Sequence, residues 1–270
     1  MKLFTASQIQ AWDKFTIQEQ AISSYSLMER AAFCLFEAIA TNHLKGNDVV
    51  HIVCGTGNNG GDGLQLARYL ILHSSALVHV YTHPDGFKLH SDAHQSWLLI
   101  QAIKEQRLQF HHHHDIYKIT FHADDLLIDA IYGTGFRNEP DPYYAQLIMA
   151  MNSAVAIKIA VDVPSCLPAD IQLHPIAHPV FQAHYTYTFQ VPKLSFLVPE
   201  TGKFTGKFIV LDIGLSNIFD QHEPSNTQLI TPLIIYPLLK SNTKFDHKGT
   251  HGHLLVVGGS FGKMGAAVLM

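Results

Sequence analysis

Ten residues, Cys54-Gly55-Thr56-Gly57-Asn58-Asn59-Gly60-Gly61-Asp62-Gly63, lie between the apolar run Val49-Val50-His51-Ile52-Val53 and the segment Leu64 to Leu72, whose apolar residues recur at helical spacing. A loop with five glycines at a strand-to-helix turn narrows the fold more than any other stretch of the chain. Glycines let backbone approach an anion closely, and the amides that open a helix have no partner inside it and carry the positive end of its dipole. A cradle for a phosphate or nucleotide follows. Gly55 to Gly60 satisfies G-x-G-x-x-G, which also asks for an acidic residue about twenty positions on, at the end of the second strand. Here that strand, 76–82, runs into Tyr81-Thr82-His83, with Asp85 only after Pro84, so the ribose anchor of a dinucleotide dehydrogenase is missing from its place. Asn58, Asn59 and Asp62 instead give the turn polar groups able to hold a sugar hydroxyl, a cation or a reacting group.

Apolar strands alternate with amphipathic helices on both sides of this loop. Thr5 with Gln8 caps a helix from Ser7 to about Glu19, and Ser26 with Glu29 caps a second to about His43. The pattern continues as strand 49–54, helix 62–73, strand 76–82, helix 91–106 capped by Ser91, strand 126–131, a helix opened by Asp141-Pro142, and strand 155–163, with further strands at 184–190 and 207–213. Near-continuous apolar strands separated by helices predict a Rossmann-like, three-layer αβα domain on a mostly parallel sheet. In such a fold, ligand loops leave the carboxyl ends of the strands along one edge. Gly55 to Gly63, Gly133 to Glu139 and Pro164-Ser165 each follow a strand, so all three are expected to line one crevice. Asp129 and Asp162, near the ends of their strands, need a donor or cation beside them.

Composition narrows the partners. With 18 basic and 22 acidic residues, a net charge of -4 offers no electropositive footprint for nucleic acid. Three widely spaced cysteines, Cys34, Cys54 and Cys166, suit reduced thiols and a cytoplasmic compartment, and no apolar run is long enough to span a bilayer. The run His111 to His114 with Asp115 reads as a surface connector, since four adjacent imidazoles cannot all face one ion. Lys193 reads as a solvated lysine.

Several blocks together resemble the NAD(P)H-hydrate epimerases, whose signature is Asn-Asn-x-Gly-Asp-Gly after Gly-x-Gly. Besides Gly55 to Gly63, they are Thr5-Ala6-Ser7-Gln8 with Asp13, Leu27-Met28-Glu29-Arg30-Ala31, Asp129 to Phe136, and Val161-Asp162-Val163-Pro164-Ser165. The resemblance implies epimerisation of the R and S forms of NAD(P)H hydrate, a nicotinamide nucleotide hydrated at C6 of its reduced ring. It assigns substrate binding to Asn58, Asn59, Gly60, Gly61, Asp62, Gly133, Thr134, Gly135, Phe136, Arg137, Asn138, Glu139 and Asp162. A potassium ion falls to Asn59, Asp129 and Ser165, and the acid/base role to Asp162. It further implies a homodimer. The family carries Gly where this chain has Cys166, so strain or displacement of the loop bearing Ser165 is expected.

After Gly214 the composition turns to Ser, Asn and Pro with short apolar runs, which reads as a connecting segment over 215–245 behind an epimerase domain at 1–214. Residues 246–270 then repeat the order strand, glycine turn, helix. Gly258 to Gly262 is one residue short of a Walker loop, and Met264 stands where Ser or Thr should hold magnesium. This segment resembles the opening of the ribokinase-like NAD(P)H-hydrate dehydratases, which use ADP or ATP, and reads as a truncated start of that domain. Two other readings stay open on the residues alone: a nicotinamide-dependent oxidoreductase and a nucleotide-binding module without turnover.

Overall fold

The computed structural model describes residues 1–270 apart from 47, 84, 85, 138, 173, 240, 242, 248, 251 and 270. Residues 2–227 form one compact unit, and Met1 with 228–270 forms another.

In the larger unit seven parallel strands make the sheet: β1 (Val49–Cys54), β2 (Leu77–Thr82), β3 (Leu108–His112), β4 (Leu126–Ala130), β5 (Ile157–Val161), β6 (Tyr185–Phe189) and β7 (Lys207–Leu211). Their order is β3-β2-β1-β4-β5-β6-β7. The expected three-layer Rossmann-like architecture is therefore present. Alternate side chains of each strand serve opposite faces. Val50, Ile52, Val78, Ile128 and Ile159 pack against α2 (Ser24–His43), α3 (Asn58–His73) and α4 (Asp92–Gln101). Val53, Leu127 and Ala160 pack against α5 (Pro142–Ser153) through Leu147, Ile148 and Met151. Burial on both faces is why these strands read as unbroken apolar runs.

Several boundaries differ from the sequence reading. Ser23, not Ser26, caps α2: its hydroxyl accepts from Ser26 N at 3.0 Å, so the helix starts one turn earlier. Helix α4 stops at Gln101 rather than 106. The histidine run is not a loose connector, because His111 and His112 belong to strand β3 and His113 is buried, donating from Nε2 to Cys54 O at 2.8 Å. As an edge strand with Gln109, Phe110 and His112 exposed, β3 lacks the apolar signature of the inner strands.

At the other end of the unit, α1 (Ala6–Glu19) keeps its Thr5–Gln8 capping box. It packs Ile9 and Trp12 with Leu27, Ile213 and Leu215, while Trp12 stacks on Phe219 of α6 (Asn217–His222) and donates to Ser216 O at 2.8 Å. These contacts carry the unit past Gly214 to Thr227.

In the smaller unit, a helical turn spans Pro232–Ile235 and a short helix Gly265–Leu269. The strand expected near Leu254 does not form, and Leu254, Leu255 and Val257 are exposed. A strand needs a ladder partner for its backbone groups, and none of the described residues of this unit supplies one.

Candidate active site

The site is fixed by register. Val53 pairs with Asp129 and Cys54 with Ala130, so the loops after β1 and β4 leave the sheet side by side; Asp129 pairs in turn with Ala160, two residues before Asp162. This is where strand order reverses, the position at which open α/β sheets form a ligand crevice. The crevice here is a cleft of about 500 Å³, lined among others by Asn58, Asn59, Asp62, Gly133, Thr134 and Asp162. Gly135 and Phe136 also face it, as does Asp13 of α1. A smaller recess of about 140 Å³ shares Asp13, Asp62 and Asp162 and adds Lys193 and an apolar wall of Ile9, Leu27 and Met28.

The glycine loop enters its helix sooner than the sequence suggests, since α3 begins at Asn58. Gly60, Gly61 and Gly63 thus lie within the first turns. A Cβ on Gly60 would fall 1.8 Å from Gly55 O, and one on Gly55 would fall 2.2 Å from Ile131 O. Both glycines are needed for the close approach of helix to loops. Gly57 and Gly135, by contrast, face open space. Gly57 caps α3 without any side-chain bond, leaving the first amides of a 16-residue helix free for an anion.

Asp129 is fully buried, and its carboxylate is held by Ser165 N (2.7 Å), Ser165 Oγ (2.6 Å) and Ile131 N (3.2 Å). Burial raises it to about 7 against the pull of these hydrogen bonds. Ser165 Oγ also accepts from Tyr132 N at 2.9 Å, which ties the third motif to the second. Cys166 does take a left-handed backbone, with φ of 68°, while Ser165 makes two bonds to Asp129 and Cys166 O accepts from His178 Nε2 at 2.9 Å.

Asp162 also has a positive φ, 61°, and its amide donates to Tyr187 O at 2.7 Å. Its Oδ1 receives Lys193 Nζ at 2.8 Å, Phe189 N at 3.2 Å and Thr188 Oγ1 at 3.3 Å. Lys193 is 1% exposed and also donates to Phe189 O and Val191 O, so it is not the solvated lysine that its sequence context suggests. Burial and the nearby Asp162, Asp13 and Asp92 hold Asp62 well above the usual carboxylate range. Asn59 is buried, yet neither Oδ1 nor Nδ2 has a hydrogen-bond partner among the described residues.

Not every residue expected at the site reaches the cleft. Gly60 and Gly61, in α3, and the buried Asp129 and Ser165 are not among the residues that line it. Arg137 donates to Thr134 O at 2.9 Å and, with Glu139, lines a neighbouring depression with His174 and His178. Asn138 and Asp85 are outside the described residues. Sequence reasoning gave no site role to Asp13, although a carboxylate four residues after Ile9 and four before Ile17 sits on the packed stripe of α1, an available signal.

A parallel αβα sheet with a glycine-rich helix start opening onto a polar cleft at its switch point defines the Rossmann-like class of domain. The family described as YjeF-related protein N-terminus matches residues 24–195, and the chain belongs to it. The bifunctional NAD(P)H-hydrate repair enzyme Nnr of Moorella thermoacetica is 35% identical over 274 residues, covering 100% of this chain and 51% of that protein. Its counterpart in Coxiella burnetii is 32% identical, covering 99% and 52%. An NAD(P)H-hydrate epimerase of Limosilactobacillus fermentum is 35% identical over 215 residues, covering 77% of this chain and 95% of its own length. The chain thus spans about half of the bifunctional relatives and nearly all of the epimerase. The crystal structure of the yeast protein ynu0 shares the fold, with a TM-score of 0.66 at 18% identity over 86% of this chain and 98% of that one.

Proposed function

We propose that this chain epimerises NAD(P)H hydrate, interconverting its R and S forms. The observation that carries the reading is Asp162, clamped by a buried Lys193 at 2.8 Å, in one cleft with the Asn58–Asp62 helix start and the Gly133–Phe136 loop. The free amides of α3 and the open faces of Gly57 and Gly135 take the nucleotide phosphates, and Asn58, Asp62 and Thr134 offer hydrogen bonds to its sugars. Inversion at C6 breaks and remakes a carbon–oxygen bond. The ring nitrogen can assist departure of the hydroxyl, and Asp162 exchanges the proton involved.

Potassium fits the residues present. Asn59 has an unpartnered buried amide, and Asp129 has no cationic side chain bonded to it among the described residues. One carboxylate with neutral oxygens is a donor set for a hard cation. Asn59, Asp129 and Ser165 would hold it, and the bound ion would supply positive charge beside the buried Asp129. In the same reading the protein is a cytoplasmic homodimer, and residues 246–270 belong to the opening of an ADP- or ATP-dependent dehydratase part.

Purified chain incubated with R-hydrate, with the S form followed by chromatography, tests the activity; a rate no faster than buffer overturns it. Asp162→Asn should lower kcat by about 10²–10⁴-fold while leaving nucleotide affinity largely intact. Oxidation of an intact reduced cofactor coupled to a carbonyl substrate would favour the oxidoreductase instead.

A further inference from the structure

Epimerisation needs two proton events at one carbon, one as the hydroxyl leaves and one as water returns on the other face. Asp162 is arranged for only one of them. Its Oδ1 is already committed to an ammonium and two further donors. The walls of the cleft bring a second carboxyl to the same space. Asp13 projects from the middle of α1 and lines both the cleft and the recess together with Asp162, and it has no hydrogen bond or ion pair among the described residues. Asn59, buried and unpartnered, faces the same cleft.

We propose that Asp13 is the second proton-carrying carboxyl of this site, the group that protonates the departing C6 hydroxyl. The assignment rests on the epimerase reading above. Asp13 gives its proton to the hydroxyl as the C6–O bond breaks, so the oxygen leaves as water with the bonding pair. The ring-nitrogen lone pair forms a C6=N iminium. Water then adds to the opposite face, the C=N pair returns to nitrogen, and the surplus proton passes to Asp162. Return of that proton from Asp162 to Asp13 resets the site. The charged and titratable groups around Asp13 are Asp162, Lys193 and Asp62, with Asp92 on the recess wall. Burial first, then Asp162, pushes Asp13 up to about 6 against the opposing pull of Lys193. Two neighbouring carboxyls in different electrostatic settings are how one site divides acid from base.

The test is R-to-S kinetics of Asp13→Asn and Asp13→Glu beside the unaltered chain, from pH 5 to 8. Asp13→Asn should lose about 100-fold or more in kcat, with KM changed by less than about threefold, and Asp13→Glu should recover part of the rate. In the unaltered chain kcat/KM should fall as pH rises through about 6, and Asp13→Asn should lack that limb. An active unaltered chain with an equally active Asp13→Asn, or with the limb intact in that variant, overturns this assignment alone. An unaltered chain that leaves R-hydrate unchanged overturns the epimerase reading and this assignment with it.

Discussion

Lys193 and Asp162 show how much of the site depends on one buried pair. The ammonium has three acceptors, the carboxylate and the carbonyls of Phe189 and Val191, and almost no contact with solvent. Taking both charges out of water is costly, and removing one partner leaves the other uncompensated, which typically costs about 3–5 kcal/mol. Lys193→Met should therefore lower unfolding free energy by roughly that amount in urea titrations. Adding Asp162→Asn to Lys193→Met should restore part of the stability, because the orphaned charge is gone, while epimerase activity stays absent. If the double variant were no more stable than Lys193→Met alone, the pair would not be the source of the loss. The positive φ of Asp162 belongs to the same clamp, since the turned backbone places its amide on Tyr187 O and its side chain toward Phe189 N.

Among the elements, α3 is the one whose placement decides the cleft. Its first turn lies against the loop after β1, and Gly60 allows that contact because even a methyl group there would overlap Gly55 O. Gly60→Ala must push the helix start away from the loop; overpacking in such positions costs about 1–3 kcal/mol or more. A lowered Tm together with weakened binding of NADP+ would report the displacement, and unchanged binding would show that the helix start does not hold the nucleotide. The fold was legible because buried parallel strands announce themselves as apolar runs, as in Leu126 to Ala130, and because Thr5, Ser91 and Asp141 are ordinary helix caps. Strand β3 was not, since Gln109, His111 and His112 give an edge strand the polarity of a loop. The motifs pointed to the cleft, but the partners of Asp162 and Asp129 come from other elements, and a pair such as Lys193–Asp162 exists only once β5 and β6 are neighbours. The Cys166 backbone was anticipated from the family Gly, whereas the hydrogen bonds between Ser165 and Asp129 depend on tertiary geometry.

For the molecule as a whole, buried histidines and buried carboxyls act on acid stability with opposite signs. His51, His79 and His111 sit on three adjacent strands: the rings of His51 and His79 stack at 4.8 Å, and His79 Nδ1 lies 2.9 Å from His111 Nε2. His51 Nδ1 is also bonded to Tyr81 OH at 2.9 Å. Burial lowers His51 to about 4, its neighbour His79 adding to the shift and Asp125 opposing it, and burial likewise lowers His113 to about 4. In the unfolded chain each histidine takes its proton near 6.5, so between pH 6.5 and 4 the unfolded state binds more protons and stability falls as pH falls. The loss per group approaches about 3 kcal/mol below pH 4 and is absent above 6.5. Asp13, Asp62 and Asp129, all raised by burial, work the other way: the folded chain binds their protons first and gains stability on acidification. Replacing a histidine should uncover this second group. The stability difference between the unaltered chain and His51→Phe, measured by urea unfolding, should shift in the variant's favour by about 3 kcal/mol from pH 7 to pH 4. A pH-independent difference would mean that His51 is not held neutral in the folded sheet.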